Sequence, residues 1–189
     1  TLAIVPAAAQ LNNSPIYVVP VHVFGQIPDP GNASLSVSYA PNLVEGREFY
    51  APQSVALDTT ANPPILYVAD TANNRVLAWR DALAAAGAAP ADLVIGQPDF
   101  VSTRADHPTL RTGLESPSAL AVDANGNLYV LDAGNNRILR FPRPFEDETN
   151  PKTPDAVIGQ PDFNSSGVNP GGITASGLRI RDAGSPARP

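Results

Sequence analysis

L-Y-V-A-D-T-A-N-N-R-V-L at residues 66–77 and L-Y-V-L-D-A-G-N-N-R-I-L at residues 128–139 are two versions of one string, and the sequence around them is duplicated as well. P-Q-S-V-A-L-D at 52–58 precedes the first and L-V-I-G-Q-P-D-F at 93–100 follows it. P-S-A-L-A-V-D at 117–123 and A-V-I-G-Q-P-D-F at 156–163 flank the second. The offsets agree: Pro52 to Pro117 is 65 residues, Arg75 to Arg137 is 62, and Gln97 to Gln160 is 63. Self-similarity at such a period marks stacked supersecondary units, each burying its flat sides on its neighbours.

Inside each unit the pattern predicts four antiparallel strands. In the second copy, residues 119–123 alternate apolar and small side chains, Asn125-Gly126 offers a dipeptide that tolerates positive φ in a two-residue hairpin, and residues 128–132 form the next strand. Asp58 to Asp70 spans 12 residues where Asp123 to Asp132 spans 9, so the first copy carries a longer connection at 59–64. Turns at 71–74 and 133–136 lead into third strands at 75–79 and 137–141, and the fourth strands are expected at 93–97 and 156–160. On the first strands Val55 and Leu57, like Leu120 and Val122, share one face, while Ala56 and Ala121 lie on the other and allow close approach. Trp79 and Phe141 place a large ring at the outer end of the third strand, where a wedge between sheets must be filled. Between the third and fourth strands, Asp81 before 82–86 and Gly87 reads as a capped short helix, whereas 142–154 is Pro-rich, charged and expected as extended loop.

The string L-Y-V-x-D-x-x-N-N-R-[VI]-L, preceded by P-x-x-[VL]-A-[VL]-D, resembles the NHL repeat, and the appended V-I-G-Q-P-D-F is similar to bacterial extracytoplasmic members with long repeats. The resemblance covers residues 52–163 and implies an all-β fold of β-propeller blades, four antiparallel strands each. The units here are longer than the roughly 40 to 50 residues of common propeller repeats, so elaborated surface loops are expected. V-H-V-F-G-Q at 21–26 is a degenerate fourth strand, and Gly184-Ser185-Pro186 falls where another first strand begins. The expected division is therefore 1–51 as the end of a preceding blade with its crossing loop, 52–116 and 117–185 as two blades with their crossing loops, and 186–189 as the start of the next. Two blades fall short of the roughly four to eight that close a propeller, so the sequence reads as an incomplete ring: a piece of a longer protein, or one that assembles from copies.

The chain has no Met and no Cys, so neither disulfide nor thiolate chemistry is available to it. With 12 Lys plus Arg against 18 Asp plus Glu, its net charge of −6 argues against a nucleic-acid partner or an anionic membrane surface. No stretch approaches the roughly 18 apolar residues of a membrane-spanning helix. Residues 1–10, T-L-A-I-V-P-A-A-A-Q, fit either the tail of a signal peptide or a surface segment of the first blade.

Two sets of residues are candidates for a site. Asp70, Asn73, Asn74 and Arg75, with their counterparts Asp132, Asn135, Asn136 and Arg137, combine acidic and amide oxygens suited to a cation with guanidinium groups suited to a carboxylate or phosphate. Against a ligand role, Asp and Asn hold tight turns and Arg pairs with Asp, and repetition in every blade favours that structural role. In G-Q-P-D-F, Gly96 and Gly159 end a strand, Asp99 and Asp162 close a turn, and Phe100 and Phe163 are expected beneath the crossing loop. His22 and His107 are the only histidines, so this chain alone supplies no three-histidine or Cys-His zinc site, and no catalytic set, metal or cofactor is indicated. Asp147 and Glu148 read as solvated acids of a charged linker. The expected function is a secreted, extracellular or periplasmic, non-enzymatic binding or scaffolding module for a protein or glycan partner. The alternatives are a self-assembling structural subunit, which makes homo-oligomers, and part of a propeller enzyme of the lyase or lactonase kind.

Overall fold

The computed structural model describes residues 28–29, 32–36, 44–85, 89–169, 171–172 and 177–178. The expected strand at 21–26, the restart near Pro186 and residues 1–10 lie outside them. The architecture is all-β. After a short hairpin of β1 (Pro28–Asp29) and β2 (Asn32–Ser36) come two four-stranded antiparallel sheets of meander topology. The first runs β3 (Ser54–Asp58), β4 (Ile65–Asp70), β5 (Arg75–Trp79), β6 (Leu93–Ile95); the second runs β7 (Pro117–Val122), β8 (Leu128–Asp132), β9 (Arg137–Phe141), β10 (Ala156–Ile158). The registers correspond as well, Asp70 lying opposite Arg75 and Asp132 opposite Arg137.

The two sheets pack face to face. Tyr67, Val76, Ala78 and Ile95 of the first sheet meet Leu128, Val130, Leu139 and Phe141 of the second in one buried cluster, with Leu120 and Val122 packed against it. Val76, Ile95, Leu128, Val130, Leu139 and Phe141, each stabilising by about 1.5–3 kcal/mol when buried, make this interface the main apolar store of the described residues. Innermost strands β3 and β7 touch, and the Ser54 hydroxyl accepts the Leu120 amide at 3.0 Å while the Thr71 hydroxyl donates to the Pro117 carbonyl at 2.7 Å. The opposite face of the first sheet holds a second cluster of Leu66, Val68, Leu77, Trp79 and Val94. Trp79 fills the outer end as expected, 2% exposed, with Phe49 edge-on at 5.8 Å and its ring N–H donating to the Ala89 carbonyl.

On that same face Val55 and Leu57 are 63% and 52% exposed, whereas their counterparts Leu120 and Val122 are covered by the first sheet. Likewise Val76 is fully buried between the sheets while its counterpart Ile138, on the outer face of the second, is only half-buried. The two outward faces are thus the two halves of the interface that the sheets form with each other.

The connections depart from expectation in three places. Asp81 does cap, accepting the amides of Leu83 and Ala84 at 2.8 and 2.9 Å, yet residues 82–84 form a turn and no helix. The cap and the Ala85 amide, which donates to the Asp81 carbonyl at 3.0 Å, close a single turn, while the Ala82 amide donates to the Pro64 carbonyl. The β7–β8 hairpin is closed by Asp123 and Asn127 around the three residues 124–126, with only Gly126 at positive φ (80°), so it is not a two-residue turn with both residues left-handed. The fourth strands end at Ile95 and Ile158, because Gly96 and Gly159 turn the chain at φ 89° and 92°.

Candidate functional site

Asp70 ends β4 and a single 3-10 turn, Thr71–Asn73, carries the chain to Asn74, which is left-handed at φ 53° and so reverses it into β5. That geometry places Asp70, Asn73 and Arg75 on one spot. Asp70 Oδ2 accepts from Asn73 Nδ2 at 2.8 Å and Arg75 Nε at 2.7 Å, and Oδ1 accepts the Tyr50 amide at 2.7 Å. Arg75 then donates Nη1 to the Phe100 carbonyl and Nη2 to the Glu48 carbonyl. The second sheet repeats each of these bonds and adds one to Leu110: Asp132 takes Asn135, Arg137 and the Glu115 amide, and Arg137 reaches the carbonyls of Phe163, Leu110 and Gly113. Both Asp-Arg pairs are 0% exposed.

Burying two charges costs several kcal/mol, and the pair is sustained here because every oxygen and most guanidinium donors are engaged. Burial, the largest influence, pushes the Asp132 carboxyl up to about 6, against Arg137, the Glu115 amide and Asn135, which pull it down. Chemically, each cluster is a clamp. It holds the segment entering its sheet and the G-Q-P-D-F segment leaving it.

Asn74 and Asn136 complete the clamp. Asn74 Nδ2 donates to the Thr103 carbonyl and its Oδ1 accepts the Ser116 amide; Asn136 Nδ2 donates to the Ser166 carbonyl. Gln97 Nε2 bridges the carbonyls of Asn74 and Arg104, and Gln160 Nε2 those of Asn136 and Gly167. Asp99 accepts the amides of Val101 and Ser102, and Asp162 the Asn164 amide and Ser165 hydroxyl. Phe100 and Phe163 are half-buried, Phe163 under the Arg111 guanidinium at 4.3 Å. A Cβ on Gly96 would lie 2.6 Å from the Leu114 side chain, and one on Gly159 2.5 Å from that of Leu178, so both positions need glycine twice over.

The structure therefore brings together all eight candidate residues, four to a sheet, and adds partners that single residues did not announce. Glu48, Tyr50 and Gly113 join the clamps through backbone atoms, and Gln97 and Gln160 through side chains. The constant offset between copies was the available signal: Tyr50 to Glu115 is 65 residues, Phe100 to Phe163 is 63.

Two loops stand on these clamps. Residues 99–116 expose Val101, Arg104, Thr109 and Arg111, and half-buried His107 lies among them. Residues 141–155 expose Arg143, Glu146, Glu148, Thr149 and Asn150. Asp147 is not merely solvated: it accepts the Thr149 amide and hydroxyl and the Thr153 amide, which ties the loop. Asn150 Nδ2 donates to the Pro98 carbonyl at 3.3 Å, which ties the second loop to the G-Q-P-D-F segment that leads into the first. Among the described residues no three His, Cys, Asp or Glu side chains are placed to hold a metal ion, and no helix is long and apolar enough to cross a membrane.

Four-stranded meanders stacked through their flat faces, with the innermost strands adjacent, define propeller-type blades. Residues 114–141 match the family model of the NHL repeat, spanning β7, β8 and β9 with the Asp132–Arg137 clamp. The chain thus carries an NHL repeat, and residues 66–77 are the internal counterpart of 128–139. The match covers one repeat, and the four-stranded sheets on either side of the interface make this a chain of propeller-type blades. No curated protein matches it.

Proposed function

We propose that the chain is a non-enzymatic binding or scaffolding module acting outside the cytoplasm, with the loops at 99–116 and 141–155 as its recognition surface for a protein or glycan. The eight repeated polar residues serve as its internal frame. One observation carries this reading: what repeats is turned inward and bonded within the chain, while what differs between copies is exposed on two loops. Rigidly held loops lose little entropy on binding, which favours recognition. The test is cross-linking of the chain to surface proteins and glycans of the cells that make it. The variant Val101→Ser, Arg104→Ala, Glu148→Ala, Asn150→Ala should lose the captured partner and remain folded, since exposed substitutions shift stability by only about 0.5 kcal/mol each. Equal capture by wild type and variant would overturn the reading.

A second reading, self-assembly, is favoured by the exposed Val55 and Leu57 on one outer face and the exposed Ile158 on the other. Because these faces correspond to the two halves of the internal sheet-sheet interface, head-to-tail addition of copies would repeat a packing the chain already makes. Light scattering decides it. A discrete oligomer that Leu57→Lys dissociates supports assembly, and a monomer at all concentrations rejects it.

A further inference from the structure

The two copies differ most instructively at the start of their second strands. In the second sheet Asp123 is saturated: Oδ1 accepts the amides of Asn125 and Asn127, and Oδ2 accepts Asn127 Nδ2 at 2.9 Å and the Tyr129 hydroxyl at 3.4 Å. Asp58 and Tyr67 are the same two residues of the first sheet, 65 and 62 positions earlier. There Asp58 Oδ1 accepts the Thr60 amide and hydroxyl, and among the described residues none donates a hydrogen bond to Oδ2. The Tyr67 hydroxyl is fully buried and has no hydrogen-bond partner among the described residues. The cause lies in the sequence: Ile65 stands where Asn127 stands, and the longer connection at 59–64 replaces the tight hairpin. An amide donor has gone, and a cavity of about 160 Å³ occupies the space between the sheets.

Its walls define what fits. Asp58, only 4% exposed, and Tyr67 supply the polar end; Ala61, Ile65 and Phe145 supply the apolar sides. At the mouth Arg143 donates to the Asn125 carbonyl and pairs with Glu146 at 3.0 Å, and Arg80 lies over the Phe145 ring at 4.5 Å, so neither nearby guanidinium is hydrogen-bonded to the Asp58 carboxylate. A buried carboxylate without an ion-pair partner is costly, so the cavity favours a positively charged group that donates hydrogen bonds. Burial, followed by the Asp58 charge, holds the Tyr67 hydroxyl above its ordinary pKa, so it stays protonated and keeps an acceptor lone pair. The volume is below the roughly 300–1,000 Å³ of pockets for whole small molecules, which limits the occupant to one functional group on a short stem.

We infer that this inter-sheet cavity binds a protonated primary amine on an aliphatic stem, its ammonium donating to Asp58 Oδ2 and the Tyr67 hydroxyl and its methylenes lying along Ile65, Ala61 and Phe145. The ammonium takes the role that the Asn127 amide plays in the other copy. Two sources share this chemistry, a free alkylammonium and a lysine side chain; the cavity borrows Arg143, Phe145 and Glu146 from the 141–155 loop, but none of the four residues substituted in the recognition test lines it.

The experiment is a titration of the full chain with n-butylammonium, followed by amide NMR shifts, with n-butanol as the neutral control of equal shape. Saturable shifts at residues 58–67 and 143–146 with the amine, and none with the alcohol, are expected. Asp58→Asn should weaken binding at least tenfold, because a charged acceptor is lost. Tyr67→Phe should weaken it about fivefold while leaving the unfolding midpoint equal or higher, since the hydroxyl is unsatisfied in the free chain. Binding of Nα-acetyl-lysine methylamide as well assigns the source to a side chain; binding of butylammonium alone assigns it to a free amine. Non-saturable shifts, an equal response to n-butanol, or wild-type affinity in Tyr67→Phe would overturn the site, and this last readout holds even if Asp58→Asn fails to fold.

Discussion

Arg137 makes four hydrogen bonds from one planar fork, to Asp132 and to the carbonyls of Phe163, Leu110 and Gly113, and no other residue type combines that reach with a fixed charge. Arg137→Ala leaves a buried carboxylate and three carbonyls unpaired and is expected to cost about 3–5 kcal/mol in urea unfolding, with Arg137→Lys recovering only part. Asp132 adds a pH dependence. Burial raises its carboxyl from the ordinary 3.8 to about 6, so between those values the folded chain holds a proton that the unfolded chain has released. The contribution of this group is therefore full below about pH 4 and is lost as pH rises through about 6, a change on the order of 3 kcal/mol. Asp132→Asn, which cannot ionise, should flatten that decline in urea midpoints taken from pH 4 to 7, and a profile parallel to wild type would count against burial as its cause. At this scale the sequence revealed which residues matter, because they recur. It did not reveal their partners, since most are backbone carbonyls and amides, which carry no residue signature.

The elements were legible where period and turn chemistry agree. Leu128–Asp132, Arg137–Phe141 and Arg75–Trp79 fall where alternation placed them, each bounded by Asp and by the Asn-Asn turn. The fourth strands came out shorter because Gly96 and Gly159 adopt φ near 90° before the strand can continue. Gly96→Ala is therefore expected to lower stability by at least about 1–2 kcal/mol for the left-handed backbone alone. The overlap with Leu114 should add to this, so Gly96→Ala combined with Leu114→Ala tests the two causes by thermal unfolding. A capping Asp and an Ala run signal helix locally after Asp81, and the described residues 82–84 close one turn instead.

For the whole molecule the decisive contact is between sheets. Leu139 is fully buried in the cluster that joins them, so Leu139→Ala is expected to cost about 2–5 kcal/mol. It should also lower hydrogen-exchange protection in β4 and β5 as well as in β8 and β9, because each sheet is held by its neighbour. Protection lost in the second sheet alone would mean that the two fold independently. The sequence predicted that blades stack but not that the copies would part company at Asp58 and Tyr67. A three-residue difference in a connection looked like tolerated variation, and only the juxtaposition of the 59–64 connection with Arg143 and Phe145 turns it into a cavity.

By itself the sequence determined the all-β class, the four-stranded unit and the repeated clamp residues, since alternation, turn-forming residues and recurrence are local properties printed twice in one chain. Only the tertiary structure decided which carbonyls the arginines grip, which sheet faces remain uncovered and where a buried carboxylate lacks its counterpart. Those are relations between segments tens of residues apart, fixed by packing and hydrogen-bond geometry that no local pattern encodes.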